Sequence, residues 1–496
     1  MTVTPIAGEP GLAVVCSGCG HRAAPDVLLP IRCPAAVPGD GIDHVMATVI
    51  DPRGASFPAS GEPNPFVRYR SLFRAYGLAR RAGWSDERYV ALVERLDRAI
   101  AAVDGHGFRA TPFARSGALS DRLGFDPAGG VWIKDETGNV SGSHKARHLM
   151  GAMIELLVAE EVGGADRGAA GSAGPRAPGA TTPGEPPLAI ASCGNAALAA
   201  AVVARAAERR LDVFVPTGAD PVVLDQLRLL GARVTECPRE PGTAGDPSVL
   251  RLREAIAAGA IPFTCQGNEN GLAIEGGATL GYEIVSELAR QGRTLDRLVV
   301  QVGGGALASS CAQGFADARA LGAIDRQPRL DTVQTAGCWP LRRAYDGVSS
   351  RLRARPGAMD PAGVADGPAL REALEYAARH RSAFMWPWAT EPRSIAHGIL
   401  DDETYDWLAV VRGMLRTGGT PVIVDEPLLV EANDLARATT GIDADHTGTA
   451  GLAGLLELVR SGSIRPAESV GILFTGHRRG PQAPATTPTA GERRTP

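Results

Sequence analysis

Short apolar runs and longer amphipathic stretches alternate along most of this chain. The runs at 188–191, 213–215, 298–302, 330–333, 422–424 and 470–474 are mainly apolar, the pattern of strands buried on both faces of a sheet. Between them, apolar positions spaced by three and four predict helices at 149–161, 196–209, 271–290, 306–321, 428–438 and 449–459. Strand–helix alternation of this kind predicts an α/β fold with open parallel sheets. Ligands then sit beyond the carboxyl ends of the strands.

The pattern breaks in three places. Residues 1–60 are rich in Pro, Gly and Cys, lack long helical periodicity, and read as an extension on a main region of 61–480. Helical spacing begins just after residue 64, with Phe66, Tyr69, Leu72, Phe73 and Tyr76. The segments 163–187 and 481–496 are mostly small or polar, and are expected to be a disordered insertion and tail because they cannot bury enough apolar surface. The 51 basic against 55 acidic side chains leave a net charge of −4, with no basic run suited to nucleic acid. No apolar stretch reaches the ~20 residues that span a bilayer, and no signal peptide is evident, so a cytoplasmic protein without membrane or nucleic-acid partners is expected.

Of eight cysteines, Cys193, Cys237, Cys265, Cys311 and Cys338 are scattered and read as reduced thiols. The other three cluster: Cys16-x-x-Cys19 and Cys33 could supply three zinc ligands, with His21 or His44 as the fourth. Unligated thiols are the competing reading.

Four turns carry candidate chemistry. In Ser143-His144-Lys145, a polar turn leads into a helix whose stripe of Met150, Met153, Ile154, Leu157 and Val158 docks it. An amine at that end lies beside the positive pole of the helix, which favours the neutral form an imine requires, and Ser143 with free N–H groups could cradle a phosphate. The turn Ser192-Cys193-Gly194-Asn195 follows a strand and opens a helix, presenting N–H groups to a carboxylate. In Gly303-Gly304-Gly305-Ala306-Leu307, three glycines let backbone approach a phosphate closely, without the lysine or spacing of a nucleotide loop. Finally, Thr475 ends a strand with a neutral hydroxyl that can hydrogen-bond a pyridine nitrogen without protonating it. Each alone is equally an ordinary turn or helix cap.

In this order the four turns make the chain resemble the fold type II pyridoxal phosphate enzymes (the tryptophan synthase β-like superfamily), threonine synthases and threonine dehydratases above all. The resemblance spans roughly 134–477. It implies two open, mostly parallel sheets flanked by helices, a cofactor in the cleft between domains, and a smaller mobile subdomain around 146–236. It places the Schiff base on Lys145 beside His144, the phosphate on Gly303, Gly304, Gly305, Ala306 and Leu307, the phenolic oxygen at Asn195, the ring nitrogen at Thr475, and the substrate carboxylate on Ser192, Cys193 and Gly194. Lys134-Asp-Glu-Thr-Gly-Asn, Asn268-Glu-Asn-Gly-Leu-Ala-Ile-Glu-Gly-Gly and Phe-Thr475-Gly-His477 look most like threonine synthase. His144, Ala146-Arg147 and Ala306 depart from that pattern, where Phe, Asp-Arg and a fourth glycine are usual, which weakens the expectation of homoserine phosphate as substrate.

The resemblance implies a homodimeric lyase or synthase acting on a small amino acid, by elimination or replacement at the β-carbon. A serine or threonine ammonia-lyase is the alternative, and a catalytically silent sensor or partner subunit the reading of another class. His397 and the acidic run 401–403 lie in a polar loop that either lines the substrate side or simply caps a helix.

Overall fold

The computed structural model describes residues 11–37, 39–53, 55–165, 185–239, 245–360 and 362–479. The segments expected to be disordered therefore lie mostly or wholly outside the described residues. The chain begins with an antiparallel hairpin, β1 (Gly11–Cys16) and β2 (Met46–Asp51), that sets Cys16 opposite Met46. Next come β3 (Phe113–Arg115) and β4 (Gly130–Asp135). Four strands follow, β5 (Leu188–Ala191), β6 (Leu211–Pro216), β7 (Arg233–Cys237) and β8 (Ile261–Pro262). The last four are β9 (Arg297–Gln301), β10 (Arg329–Thr335), β11 (Pro421–Val424) and β12 (Ser469–Phe474).

Two further sheets result. One has six strands in the order β11-β10-β9-β12-β4-β3, parallel except for β3 against β4. The other has four, β7-β6-β5-β8, all parallel. This smaller sheet runs past residue 236, because Ile261–Pro262 adds its fourth strand beside β5.

Why the six-stranded sheet forms is visible in its alternation. Along β9, Leu298 and Val300 enter one apolar core while Val299 enters another. Along β12, Leu473 and Ile472 divide the same way, as do Trp132 and Ile133 in β4. With both faces covered, each fully buried Val or Leu contributes about 1.5–3 kcal/mol, and polar positions are nearly eliminated. That is why β9 and β12 read as nearly continuous apolar runs.

The helix Lys145–Ala165 crosses the helix Ala273–Gln291 backbone to backbone. A Cβ on Gly276 would lie 2.1 Å from the Arg147 carbonyl oxygen, and one on Gly277 2.3 Å from the His148 ring. The glycine pair of the 268–277 motif thus serves helix packing directly behind Lys145. Among the described residues, no helix is long and apolar enough to cross a membrane.

Candidate active site

All four turns leave the carboxyl ends of strands. The glycine turn follows β9, Thr475 follows β12, and the segment leading to Lys145 follows β4, three strands adjacent in one sheet. The Ser192–Asn195 turn follows β5 of the other sheet. They converge: Ser143 forms an antiparallel bridge with Gly476, and a Cβ on Gly476 would lie 2.8 Å from Asn195 Nδ2.

Lys145 is the first residue of its helix and is partly exposed. The polar atoms around it fall into two classes. On the inner side, Arg147 is fully buried and pairs with Glu136 and Glu283, while Lys134, also fully buried, pairs with Glu283 and donates to the Thr111 carbonyl at 2.7 Å. Burial alone would lower the Arg147 pKa, but Glu136 and Glu283 hold it well above the usual guanidinium value. Burial likewise works to raise Glu283, and Arg147 and Lys134 outweigh it, so this carboxyl is lowered. The network fixes the first helical turn, and hence the root of Lys145.

On the outer side, Ser143 Oγ, His144 Nε2 and His148 Nε2 are buried and make no hydrogen bond among the described residues. His144 Nδ1 lies 3.3 Å from the Thr475 carbonyl oxygen and His148 Nδ1 3.1 Å from that of Ala273. A carbonyl can only accept, so each Nδ1 carries the hydrogen. Burial, then the charge of Lys145, pushes His144 well below the ordinary histidine range and His148 down to about 3. Both rings are neutral at pH 7, and each Nε2 is a bare acceptor. In this state His144 suits an ammonium donor; to hold a phosphate it would have to gain a proton.

Thr475 Oγ1 accepts a hydrogen bond from Gln301 Nε2 at 2.8 Å. That bond leaves the hydroxyl hydrogen free to donate, as a pyridine nitrogen requires. Asn195 Oδ1 is clamped by Arg479, at 2.9 and 3.2 Å. Cys193 is exposed in its turn, with Asp246 and Asp401 near enough to help raise its thiol pKa after burial.

The glycine turn is packed against the segment 399–406. A Cβ on Gly303 would lie 2.3 Å from Asp401 Oδ2, and one on Gly304 2.9 Å from the Tyr405 ring. Gly305 adopts φ +97°, where only glycine sits without strain. Thr404 Oγ1 donates to the Gly303 carbonyl at 3.0 Å and Asp406 N to that of Gly304 at 2.9 Å. Burial raises Asp401 to about 6 and Asp406 to about 7. His397 is exposed, its Nδ1 3.3 Å from the Ile395 carbonyl oxygen.

This donor set fits pyridoxal phosphate. An accessible lysine amine stands among unspent buried polar atoms, a threonine hydroxyl is free to donate, and a glycine turn opens into a helix N-terminus. Sequence reading did not find Gln301, Arg479, Glu136 or Glu283 as parts of the site. Only the last two left a signal, as charges inside otherwise apolar or motif-bearing segments.

Residues 106–476 match the family model described as pyridoxal-phosphate dependent enzyme. The threonine synthase of Methanocaldococcus jannaschii is 23% identical over 368 residues, 74% of each chain. That of Synechocystis sp. is 30% identical over 234 residues, covering 47% of this chain and 52% of the relative. Among solved structures, the diaminopropionate ammonia lyase of Escherichia coli superposes with a TM-score of 0.54 at 16% identity, over 85% of this chain and 93% of that one. A pyridoxal 5'-phosphate-dependent aspartate racemase does so at 0.52 and 21%, over 78% and 96%. The fold and the family are thereby fixed: this chain belongs to the pyridoxal-phosphate dependent enzymes.

Proposed function

We propose that this chain carries pyridoxal phosphate on Lys145 and catalyses elimination or replacement on the side chain of a small amino acid, as a threonine synthase-like enzyme. The observation that carries this reading is the unspent polar shell at Lys145: Ser143 Oγ and the Nε2 atoms of His144 and His148 are buried without partners beside an accessible amine. Groups of this kind cost about 1–3 kcal/mol each when left unsatisfied, which makes a bound polar ligand the natural explanation.

The cofactor, when bound, supplies an electron sink for the α-carbon's electron pair. The chain supplies the rest. Lys145 Nζ would hold the cofactor and, as a free amine, would accept the α-proton of the substrate. The Ser192–Gly194 N–H groups would orient the substrate carboxylate, Asn195 would serve the phenolic oxygen, and Thr475 would donate its hydrogen to the ring nitrogen without transferring it. A neutral donor there would leave the ring a weaker electron sink than a protonated one, favouring loss of a side-chain leaving group over transamination.

A second reading, serine or threonine ammonia-lyase, is favoured by one specific feature. Asp246 and Asp401 act together on Cys193 of the carboxylate turn, and Asp401 lies against Gly303. A substrate bringing its own phosphate would add a second anion against that acidic face, which serine or threonine does not.

Incubating the purified protein with O-phosphohomoserine, threonine, serine, O-phosphoserine and O-acetylserine, with mass-spectrometric product identification, separates the readings. Threonine from O-phosphohomoserine supports the first, and a keto acid with ammonia from threonine or serine the second. No product and no spectral change with any of them would contradict both and favour a silent subunit.

A further inference from the structure

Far along the chain from Lys145, the N-terminal hairpin assembles a second polar cluster. Cys16, Cys19, Cys33 and His44 each bring one ligand atom to within 4.8 Å of the others. Cys19 Sγ is 3.6 Å from Cys33 Sγ, and Cys16 Sγ 3.4 Å from His44 Nδ1. A tetrahedral zinc ion with ordinary Zn–S and Zn–N bonds sets such edges at roughly 3.8 Å and 3.6 Å. A disulfide would demand about 2.05 Å.

The outer partners are equally built. His44 Nε2 lies 2.9 Å from Asp40 Oδ2, so Nε2 carries the hydrogen and the Nδ1 lone pair faces the thiols. Asp40 is held in turn by the backbone N–H groups of Val37 and Ile42. The Cys16–Cys19 turn packs so closely on the segment carrying His44 that a Cβ on Gly18 would lie 2.4 Å from the Asp43 carbonyl oxygen. Of the two histidines open at the sequence level, the fold selects His44 over His21.

This cluster is also wired to the glycine turn. Asp43, next to His44 and buried, accepts from Arg381 Nε at 3.2 Å, and its N–H donates to the Ala378 carbonyl at 2.8 Å. Arg381 pairs with Glu403 and donates its own N–H to Gly41 at 3.0 Å. Glu403 adjoins Thr404, which holds the Gly303 carbonyl.

The geometry points to a zinc-type divalent cation bound by Cys16, Cys19, Cys33 and His44, which braces segment 401–406 against the Gly303–Gly305 turn through Asp43, Arg381 and Glu403. The brace rests on the cofactor reading above; the cation site does not. Metal occupancy then sets how firmly the turn holds a phosphate, by fixing the segment packed on it rather than by touching the cofactor.

The test uses the full chain as purified, with bound cofactor. Plasma mass spectrometry should find one zinc per chain, with the metal lost in Cys33→Ser and His44→Ala. Should those variants fail to fold, cobalt added to chelator-stripped wild type should give thiolate-to-cobalt absorption instead. Zinc-stripped protein should release its cofactor several-fold faster by fluorescence. Arg381→Met should keep its zinc yet show the same faster release. Protein that purifies without metal and takes up neither zinc nor cobalt overturns the site. Unchanged cofactor release after stripping overturns the brace while leaving the site standing, and a zinc-bearing chain without pyridoxal phosphate overturns the cofactor reading instead.

Discussion

The two sides of Lys145 are about equally buried but opposite in how they use charge. On the inner side, Arg147 and Lys134 are matched by Glu136 and Glu283, and Glu283 is driven below the ordinary carboxylate range. On the outer side, Asp401 and Asp406 have no matching cation in hydrogen-bond contact and rise to about 6 and about 7, while Ser143, His144 and His148 keep unused polar atoms. Burial penalises charge on both sides; pairing cancels the penalty only within. A saturated network makes a framework, and an unsaturated one of the same depth marks where a ligand belongs.

The sharpest way to divide the sides is at Lys145 itself. Lys145→Ala should cut turnover by roughly 10²–10⁴-fold or more while leaving the unfolding midpoint near wild type, because the framework lies inside it. Initial rates and thermal melts on the same preparations check both halves. Arg147→Met attacks the framework and should cost about 3–5 kcal/mol in urea unfolding, since Glu136 and Glu283 are left buried without their partner. A loss confined to activity would contradict the division.

Thr475→Val sharpens it from the outer side. Gln301 Nε2 keeps the Gly448 carbonyl oxygen at 3.0 Å, so stability should change little. Cofactor affinity should fall by about 1–3 kcal/mol, read by fluorescence titration, as a ring nitrogen loses its donor. A further effect is in pH dependence without cofactor. With raised pKa values, Asp401 and Asp406 hold more protons folded than unfolded, so their contribution to stability falls as pH rises from about 4 to about 7. The Asp401→Asn/Asp406→Asn variant should lack that decline, and denaturation midpoints across this range measure the difference.

Sequence patterning reached the large sheet because β9 and β12 are covered on both faces and leave nearly uninterrupted apolar runs, while β10 and β11 keep shorter apolar stretches. It passed over β4, where Lys134 reads as polar until Glu283 neutralises it from 149 residues away. It also passed over β7, half-buried in the pattern Arg233–Cys237, and the amphipathic helices Pro340–Arg353, Gly367–Arg379 and Trp407–Thr417. The turns of the site were legible as glycine, serine and asparagine at strand ends. Their partners were not: Gln301 reaches Thr475 across 174 residues and Arg479 reaches Asn195 across 284, contacts that no local pattern encodes.

The cofactor proposed on Lys145 would account for the unspent polar atoms of the outer side. Borohydride reduction of the purified protein incubated with pyridoxal phosphate, followed by proteolysis and mass spectrometry, tests this directly. A pyridoxyl group on the peptide containing Lys145 is the predicted result. An unmodified Lys145, or modification at another lysine only, would contradict it.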